Sequence, residues 1–287
     1  MGTPIVTLTT DFGMDSGYVG AMKGVLLGIA PQLTIVDISH EIPATDIAHG
    51  AFVLANASPY YVPSTIHMAV VDPGVGTERL ALLVSTPTGL FLAPDNGILS
   101  YVLMPHIAYT TNPEISPFGT FRMSIGKNCM AFKINNPNLL CHDVSYTFHG
   151  RDIFAPIAAQ LANGLEISSV GEQLDVVTML NLPTTPACQQ SIKGFVIFVD
   201  HFGNLVTNLT GDTVNGKRIT LDILGESISG HNSSYQSSRE ELLLIIGSHG
   251  YLEIARRNGS AASTLGAKVG TEVLVTLPDR SFYYKST

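Results

Sequence analysis

His149 stands in the run Thr147-Phe148-His149-Gly150-Arg151-Asp152, which packs an imidazole that reads as a general base, a guanidinium and a carboxylate around a glycine, just before an apolar stretch. A second dense run is Val71-Asp72-Pro73-Gly74-Val75-Gly76-Thr77-Glu78-Arg79, and a third is Asp200-His201-Phe202-Gly203-Asn204-Leu205-Val206-Thr207-Asn208. Polar residues on Gly-containing turns at strand ends suit site-building more than packing. Pro73 to Gly76 force a tight turn after Asp72, so Arg79 can return beside that carboxylate. An Asp–Arg pair keeps a carboxylate ionised and fixes its direction. With His149 alongside, the three could orient one water and withdraw its proton, a general-base site without a side-chain nucleophile. The Asp72–Arg79 pair alone fits a structural ion pair that locks the turn equally well. No Gly-x-Ser-x-Gly elbow occurs, which disfavours acyl hydrolysis.

Thr9-Thr10-Asp11-Phe12-Gly13 lacks the glycine spacing and the lysine of a phosphate loop. A carboxylate at a strand end, here Asp11, can instead accept hydrogen bonds from a ribose diol. Phe202 offers an aromatic face to a base and Asn204 an amide to its edge, although a lone Phe also fits an ordinary core position.

These residues need a frame. Ile5 to Thr10 reads as a buried strand, Tyr18 to Ala30 as a helix stopped by Pro31, and Thr34 to Ile38 as a second strand. Thr45 or Asp46 can cap a helix running to about Ser58. Thr65 to Val71 is a third strand, and Leu80 to Ser85 with Gly89 to Ala93 read as a hairpin around Thr86-Pro87-Thr88. Gly97 to Leu103 and Asp152 to Asn163 read as helices, and Gly126 to Cys141 as an irregular insertion. The alternation predicts a mostly parallel sheet with helices on both faces. Asp11 and Asp72 then sit at the carboxyl ends of strands, where ligands gather in such sheets. Beyond a Pro183-Thr184-Thr185-Pro186 linker come short β-rich runs: Ile192 to Val199, Arg218 to Leu224, Leu242 to Ile246, Tyr251 to Ala255 and Glu272 to Leu277. Ser227 to Arg239 reads as a mobile loop. The expected fold is α/β: an N-terminal α/β domain over residues 1–182, carrying the water-activating residues, then a smaller all-β barrel or sandwich over 190–287 that contributes to the substrate pocket.

The bulk numbers bound the partners. With 287 residues, 45% hydrophobic and 13% charged, the chain has ample material for a core. A formal net charge of −8 without basic clusters disfavours nucleic acid. No apolar run reaches the length of a membrane span. Met1-Gly2-Thr3-Pro4-Ile5 has no basic start, so no signal peptide is expected. Cys129, Cys141 and Cys188 are odd in number and lack metal-ligand spacing, which suits a reduced, cytoplasmic protein without a metal.

Seven motifs in order carry a resemblance: Thr9 to Gly13, Tyr18-Val19-Gly20-Ala21-Met22-Lys23-Gly24, Val71 to Thr77, Ala93-Pro94-Asp95-Asn96-Gly97, Thr147 to Pro156, Phe202-Gly203-Asn204, and Gly247-Ser248-His249-Gly250-Tyr251-Leu252. From about Ile5 to about Val275 the chain resembles the S-adenosyl-L-methionine (SAM) hydroxide adenosyltransferases, relatives of the fluorinase and chlorinase. The resemblance implies a homotrimer whose substrate lies between one subunit's N-terminal domain and its neighbour's C-terminal domain. It implies attack of water at C5′ of SAM, with adenosine and L-methionine as products, SAM being substrate rather than cofactor and no cofactor or metal being needed. Asp72, Arg79 and His149 would be catalytic. Asp11 would bind the ribose, Asp200 and Ser248 the amino-acid end, Phe202 and Asn204 the adenine, and Asn181 another part of the substrate. Halogenating relatives lack the Asp–Arg–His set, so its presence points to the water-using branch. The chain departs from the pattern at Ser16, where relatives carry an aspartate, at His249, where halogenases have arginine, and at Arg256-Arg257-Asn258. A halide-using transferase and a non-catalytic adenosine or SAM binder are the alternatives.

Overall fold

The computed structural model describes residues 3–183, 191–214, 219–230, 232, 234–235 and 241–277. The chain falls into two compact units, Met1–Asn181 and Leu182–Thr287. The first unit runs β1 (Ile5–Thr10), α1 (Tyr18–Ile29), β2 (Thr34–Ser39), α2 (Ile47–Ala57), β3 (Ile66–Val70), β4 (Ala81–Thr86), β5 (Gly89–Pro94) and α3 (Ser100–Leu103). It continues with β6 (Thr120–Ser124), β7 (Met130–Lys133), α4 (Ala155–Ala162), β8 (Gln173–Leu174) and β9 (Val176–Leu180).

The main sheet has the order β2-β1-β3-β5-β4-β7-β8, and β6 pairs with β9 apart from it. Pairing is parallel from β2 to β5 and antiparallel from β5 outward. Alternation along the parallel strands sorts two faces. Val6, Leu8, Ile66, Met68 and Val70 pack with Met22 and Leu26 of α1 and Ile157 and Ala158 of α4. Thr7, Thr9 and His67 project to the other face, where α2 lies against β1 and β2. Asp46 caps α2 by accepting the His49 amide at 2.9 Å.

Three expectations for the first unit change. The helix expected over 152–163 starts at Ala155, and a π turn, Gly150–Phe154, precedes it. The helix expected over 97–103 shortens to Ser100–Leu103. The 126–141 stretch is not an irregular insertion, because it contains β7, whose buried Ala131 and Phe132 extend the core beside β4.

The second unit holds β10 (Ser191–Val199), β11 (Leu205–Thr210), α5 (Gly211–Val214), β12 (Thr220–Ile223), β13 (Glu226–Ser229), β14 (Leu242–Ile246), β15 (Tyr251–Arg256), α6 (Ala261–Leu265) and β16 (Glu272–Thr276). They form one antiparallel sheet ordered β13-β12-β16-β10-β11-β15-β14. Its end strands β13 and β14 approach each other, so the sheet curls towards a barrel. Residues 227–229, expected in a loop, belong to β13 and pair with β12. The remainder of that loop, except residues 230, 232, 234 and 235, lies outside the described residues, as do Thr184 to Pro186, Cys188 and Arg218. Among the described residues, no helix is long and apolar enough to cross a membrane.

Candidate active site

The parallel strands deliver their loops to one edge. Thr10 lies opposite Val70 in the β1–β3 register, so Asp11 and Asp72 leave the sheet side by side. The 71–80 loop then crosses the end of β5, because β4 lies beyond β5 in the sheet and starts opposite Pro94.

Within that loop Arg79 grips Asp72 with both arms of its fork. Its Nε donates to Asp72 Oδ1 at 3.0 Å, and its Nη2 donates to Asp72 Oδ2. Both side chains are nearly closed to solvent, at 10% and 4% exposed. The same Nη2 donates to His149 Nδ1 at 2.5 Å. An arginine N–H can only donate, so Nδ1 is the acceptor and the proton of the neutral ring sits on Nε2. Burial, then the Arg79 charge, push the His149 pKa down, against the pull of Asp72 and Asp152. The neutral ring is therefore favoured, and His149 presents an N–H donor rather than a basic nitrogen. Each Asp72 oxygen already accepts one N–H and keeps a lone pair for a water.

The π turn sets the position of His149. π turns insert one extra residue per turn and recur at functional sites. Here the turn is backed by Asp152, whose buried carboxylate takes the Ser145 amide at 2.9 Å and both arms of Arg151. A Cβ on Gly150 would come within 2.8 Å of Met22 Sδ and 3.2 Å of Phe12 Cε2. That glycine thus lets the His149 turn close onto the turn carrying Asp11. Asp11 itself accepts the Thr45 amide on Oδ2 at 2.9 Å. Its Oδ1 has no protein partner among the described residues.

The second unit gathers another set of the expected residues. A cavity of about 950 Å³ is lined by Asp200, Phe202, Asn204, Tyr235, Ser248 and Glu253, among others. Its size suits a nucleoside-sized ligand. The 200–204 turn is built by Asp200, which accepts the Phe202 and Asn204 amides on Oδ1 at 2.9 and 2.8 Å. The Asn204 side chain donates to Asp200 Oδ2 at 2.8 Å. Gly203, at φ 81°, is required because a Cβ would lie 2.1 Å from Ser260 Oγ. Phe202 is 74% exposed, so it is not an ordinary core phenylalanine.

Sequence reasoning missed Glu253, which is buried in this cavity. It accepts from His249 Nε2 at 2.7 Å and from Tyr235 Oη at 3.0 Å. Burial, with Glu253 and Asp200 nearby, pushes the Tyr235 pKa up to about 12, so its hydroxyl stays a donor. The available signal was an acid between two inward-facing apolar residues, Leu252 and Ile254. Asn181 ends the first unit. Its amide donates to the Asn112 and Ile115 carbonyls at 3.0 and 2.5 Å, and its Oδ1 accepts the Asn112 amide at 2.9 Å. Both ends of that side chain hold the 112–116 loop.

The family models decide the relationship. The SAM hydroxide adenosyltransferase N-terminal domain matches residues 6–171, and the C-terminal domain of the same family matches residues 194–274. The chain belongs to the SAM hydroxide adenosyltransferase family. Among its relatives, the (R)-S-adenosyl-L-methionine hydrolase of Salinispora tropica is 35% identical over 277 residues, covering 96% of this chain and 98% of that protein. The hydrolase of the same name from Methanocaldococcus jannaschii is 34% identical and covers 94% of both chains. A fluorinase of Nocardia brasiliensis is 24% identical over 95% of this chain and 96% of its own length. The crystal structure of a conserved Thermotoga maritima protein superimposes with a TM-score of 0.81 at 32% identity, over 95% of this chain and 99% of that one. Members of the family therefore share both units of this chain and their order.

Proposed function

We propose that this protein hydrolyses S-adenosyl-L-methionine to adenosine and L-methionine. The observation that carries the reading is the shared guanidinium of Arg79, which holds the Asp72 carboxylate and fixes the His149 tautomer at once. A water placed there donates one hydrogen to Asp72 and accepts the His149 Nε2–H. Its remaining lone pair is free to attack C5′. The oxygen–C5′ bond forms as the C5′–S bond breaks, and the bonding pair moves to sulfur. Sulfonium becomes thioether, and the water's proton passes to Asp72 and then to solvent. Asp72 is the base in this reading and His149 the donor that orients the water, which reverses the role that residue types alone suggested for His149. No cofactor is required, because the positive sulfonium sulfur makes methionine a good leaving group as a neutral thioether. A carboxylate beside the water's seat repels a halide, which favours water over chloride or fluoride.

Asp11 is assigned to the ribose hydroxyls. In the second unit, Asp200 and Ser248 are assigned to the amino-acid end, and Phe202 and Asn204 to adenine. We assign the protein to a homotrimer in which one copy's sheet edge meets a neighbour's cavity, so that each site draws on two subunits.

The test is product analysis of protein incubated with SAM, in chelator, with and without chloride. Adenosine and methionine should appear in equal amounts under every condition. A main product of 5′-chloroadenosine, or binding without any turnover, would overturn the reading.

A further inference from the structure

We infer that Asn96 is the positioning residue for the Asp72–Arg79–His149 site, an inference that rests on the hydrolase reading above. The topology creates the need. Val71 lies past the end of β3, so its carbonyl has no ladder partner, and the residue is fully buried. A buried carbonyl without a partner is costly. Asn96 supplies the partner, its Nδ2 donating to Val71 O at 2.9 Å. On the other arm of the same loop, the Asp95 amide donates to Leu80 O at 2.8 Å. These two bonds fall on the immediate neighbours of Asp72 and Arg79, the two residues that make the ion pair. The turn after β5 therefore clamps both feet of the loop that arches over it.

The clamp is itself anchored. Asn96 Oδ1 accepts the Ile98 amide at 3.2 Å, which fixes which end of the side-chain amide faces Val71. The Asp95 carboxylate, 2% exposed, takes the Thr178 amide at 2.6 Å and the Arg122 guanidinium. Gly97 adopts φ +98°, and a Cβ there would lie 2.9 Å from Leu180 Cγ. Ser100 Oγ donates to Gly97 O at 2.6 Å and accepts the Leu180 amide at 2.7 Å. The turn is thus locked to β9, and the only side-chain link it sends to Val71 is the Asn96 amide.

The Val71 carbonyl belongs to the peptide plane that ends at the Asp72 nitrogen. Rotating that plane swings the Asp72 carboxylate, and Arg79 and His149 follow through their shared bonds. Misplacing a reacting group by about 1 Å can lower a rate about 100-fold. Asn96→Asp keeps the shape but turns an acceptor towards an acceptor. Steady-state turnover of SAM should show kcat about tenfold to 100-fold lower, with KM within about threefold of wild type, because no substrate contact is lost. A buried truncation outside the 71–80 loop, Val170→Ala, serves as the control. It should lower Tm yet keep kcat within about twofold. Nitrogen-15 spectra of the histidine rings give a reading without turnover: the His149 Nδ1 resonance should move in Asn96→Asp and stay in Val170→Ala.

Wild-type kcat in Asn96→Asp, or a loss no larger than that of Val170→Ala at equal folded fraction, overturns the inference. So does a rise in KM with kcat intact. Should wild-type protein itself release no adenosine, the hydrolase reading falls, and the Nδ1 resonance decides the positioning alone. An unmoved resonance then rejects it. If Asn96→Asp does not fold, Asn96→Ala removes the donor without adding a charge and carries the same comparison.

Discussion

Asp72→Asn separates the charge of the proposed base from its shape. The variant keeps an oxygen for one Arg79 N–H, but its amide turns a donor against the other. Two effects follow, and they must be measured apart. The first is on stability. Arg79 is only 10% exposed and loses its counter-charge. Removing one partner of such a pair costs about 3–5 kcal/mol, against a total of about 5–15 kcal/mol for a domain. At about 2–4 °C per kcal/mol for a unit of this size, Tm should fall by about 6–20 °C. The second effect is on chemistry. Loss of general-base help lowers turnover about 10²–10⁴-fold, which is about 3–6 kcal/mol at about 1.4 kcal/mol per tenfold. The assay is adenosine release under saturating SAM at a temperature where calorimetry shows the variant fully folded, with SAM affinity measured separately. Folded variant that keeps more than about a tenth of wild-type kcat would refute Asp72 as the base. So would an unchanged kcat accompanied by lost SAM binding.

Other outcomes follow from the same geometry. The site needs His149 neutral, and burial with Arg79 holds its pKa below the usual value of about 6.5; kcat/KM should therefore hold steady at neutral pH and fall only as pH drops through that lowered pKa. An acid limb centred above about 6.5 in the pH–rate profile would contradict this. Gly150→Ala pushes a methyl into Met22 and Phe12, so it should cost about 1–3 kcal/mol in chemical denaturation and lower kcat as the His149 turn lifts. Gly247→Ala places a Cβ 2.2 Å from Glu253 Oε1; titration calorimetry should show weaker SAM binding, with the thermal transition of the first unit unmoved. Mixing inactive Asp72→Asn with inactive Asp200→Ala chains should restore activity if sites are shared between subunits, whereas demonstrated exchange without recovery places each site within one chain.

Much of this was legible in the residues because local rules decided it. The Asp46 cap, the Thr86–Thr88 hairpin and the strand before Asp72 rest on turn chemistry and period. The return of Arg79 to Asp72 was legible in the tight turn that Pro73 to Gly76 set. Other features depend on partners far away in sequence. β7 is a four-residue strand in a stretch rich in Asn, and its ladders with β4 and β8 define it. The π turn at Gly150 leaves no periodic trace. The His149 tautomer is set by an arginine seventy residues earlier, so residue type suggested a base where the network makes a donor. The bonds of Asn181 to the 112–116 loop join segments far apart in sequence, so no local pattern reveals them.

The crossing of the 71–80 loop over β5 also orders events in time. A chain made from its N-terminus produces β3, the loop and β4 before β5 exists. Those two strands are not neighbours in the finished sheet, and the gap between them can be filled only by a segment synthesised later. Until Gly89–Pro94 slides into that gap, the loop spans nothing and its two feet have no floor beneath them. Catalytic geometry therefore cannot precede the insertion of β5. A molecule in which β5 is not yet placed has no floor for the loop that carries Asp72 and Arg79.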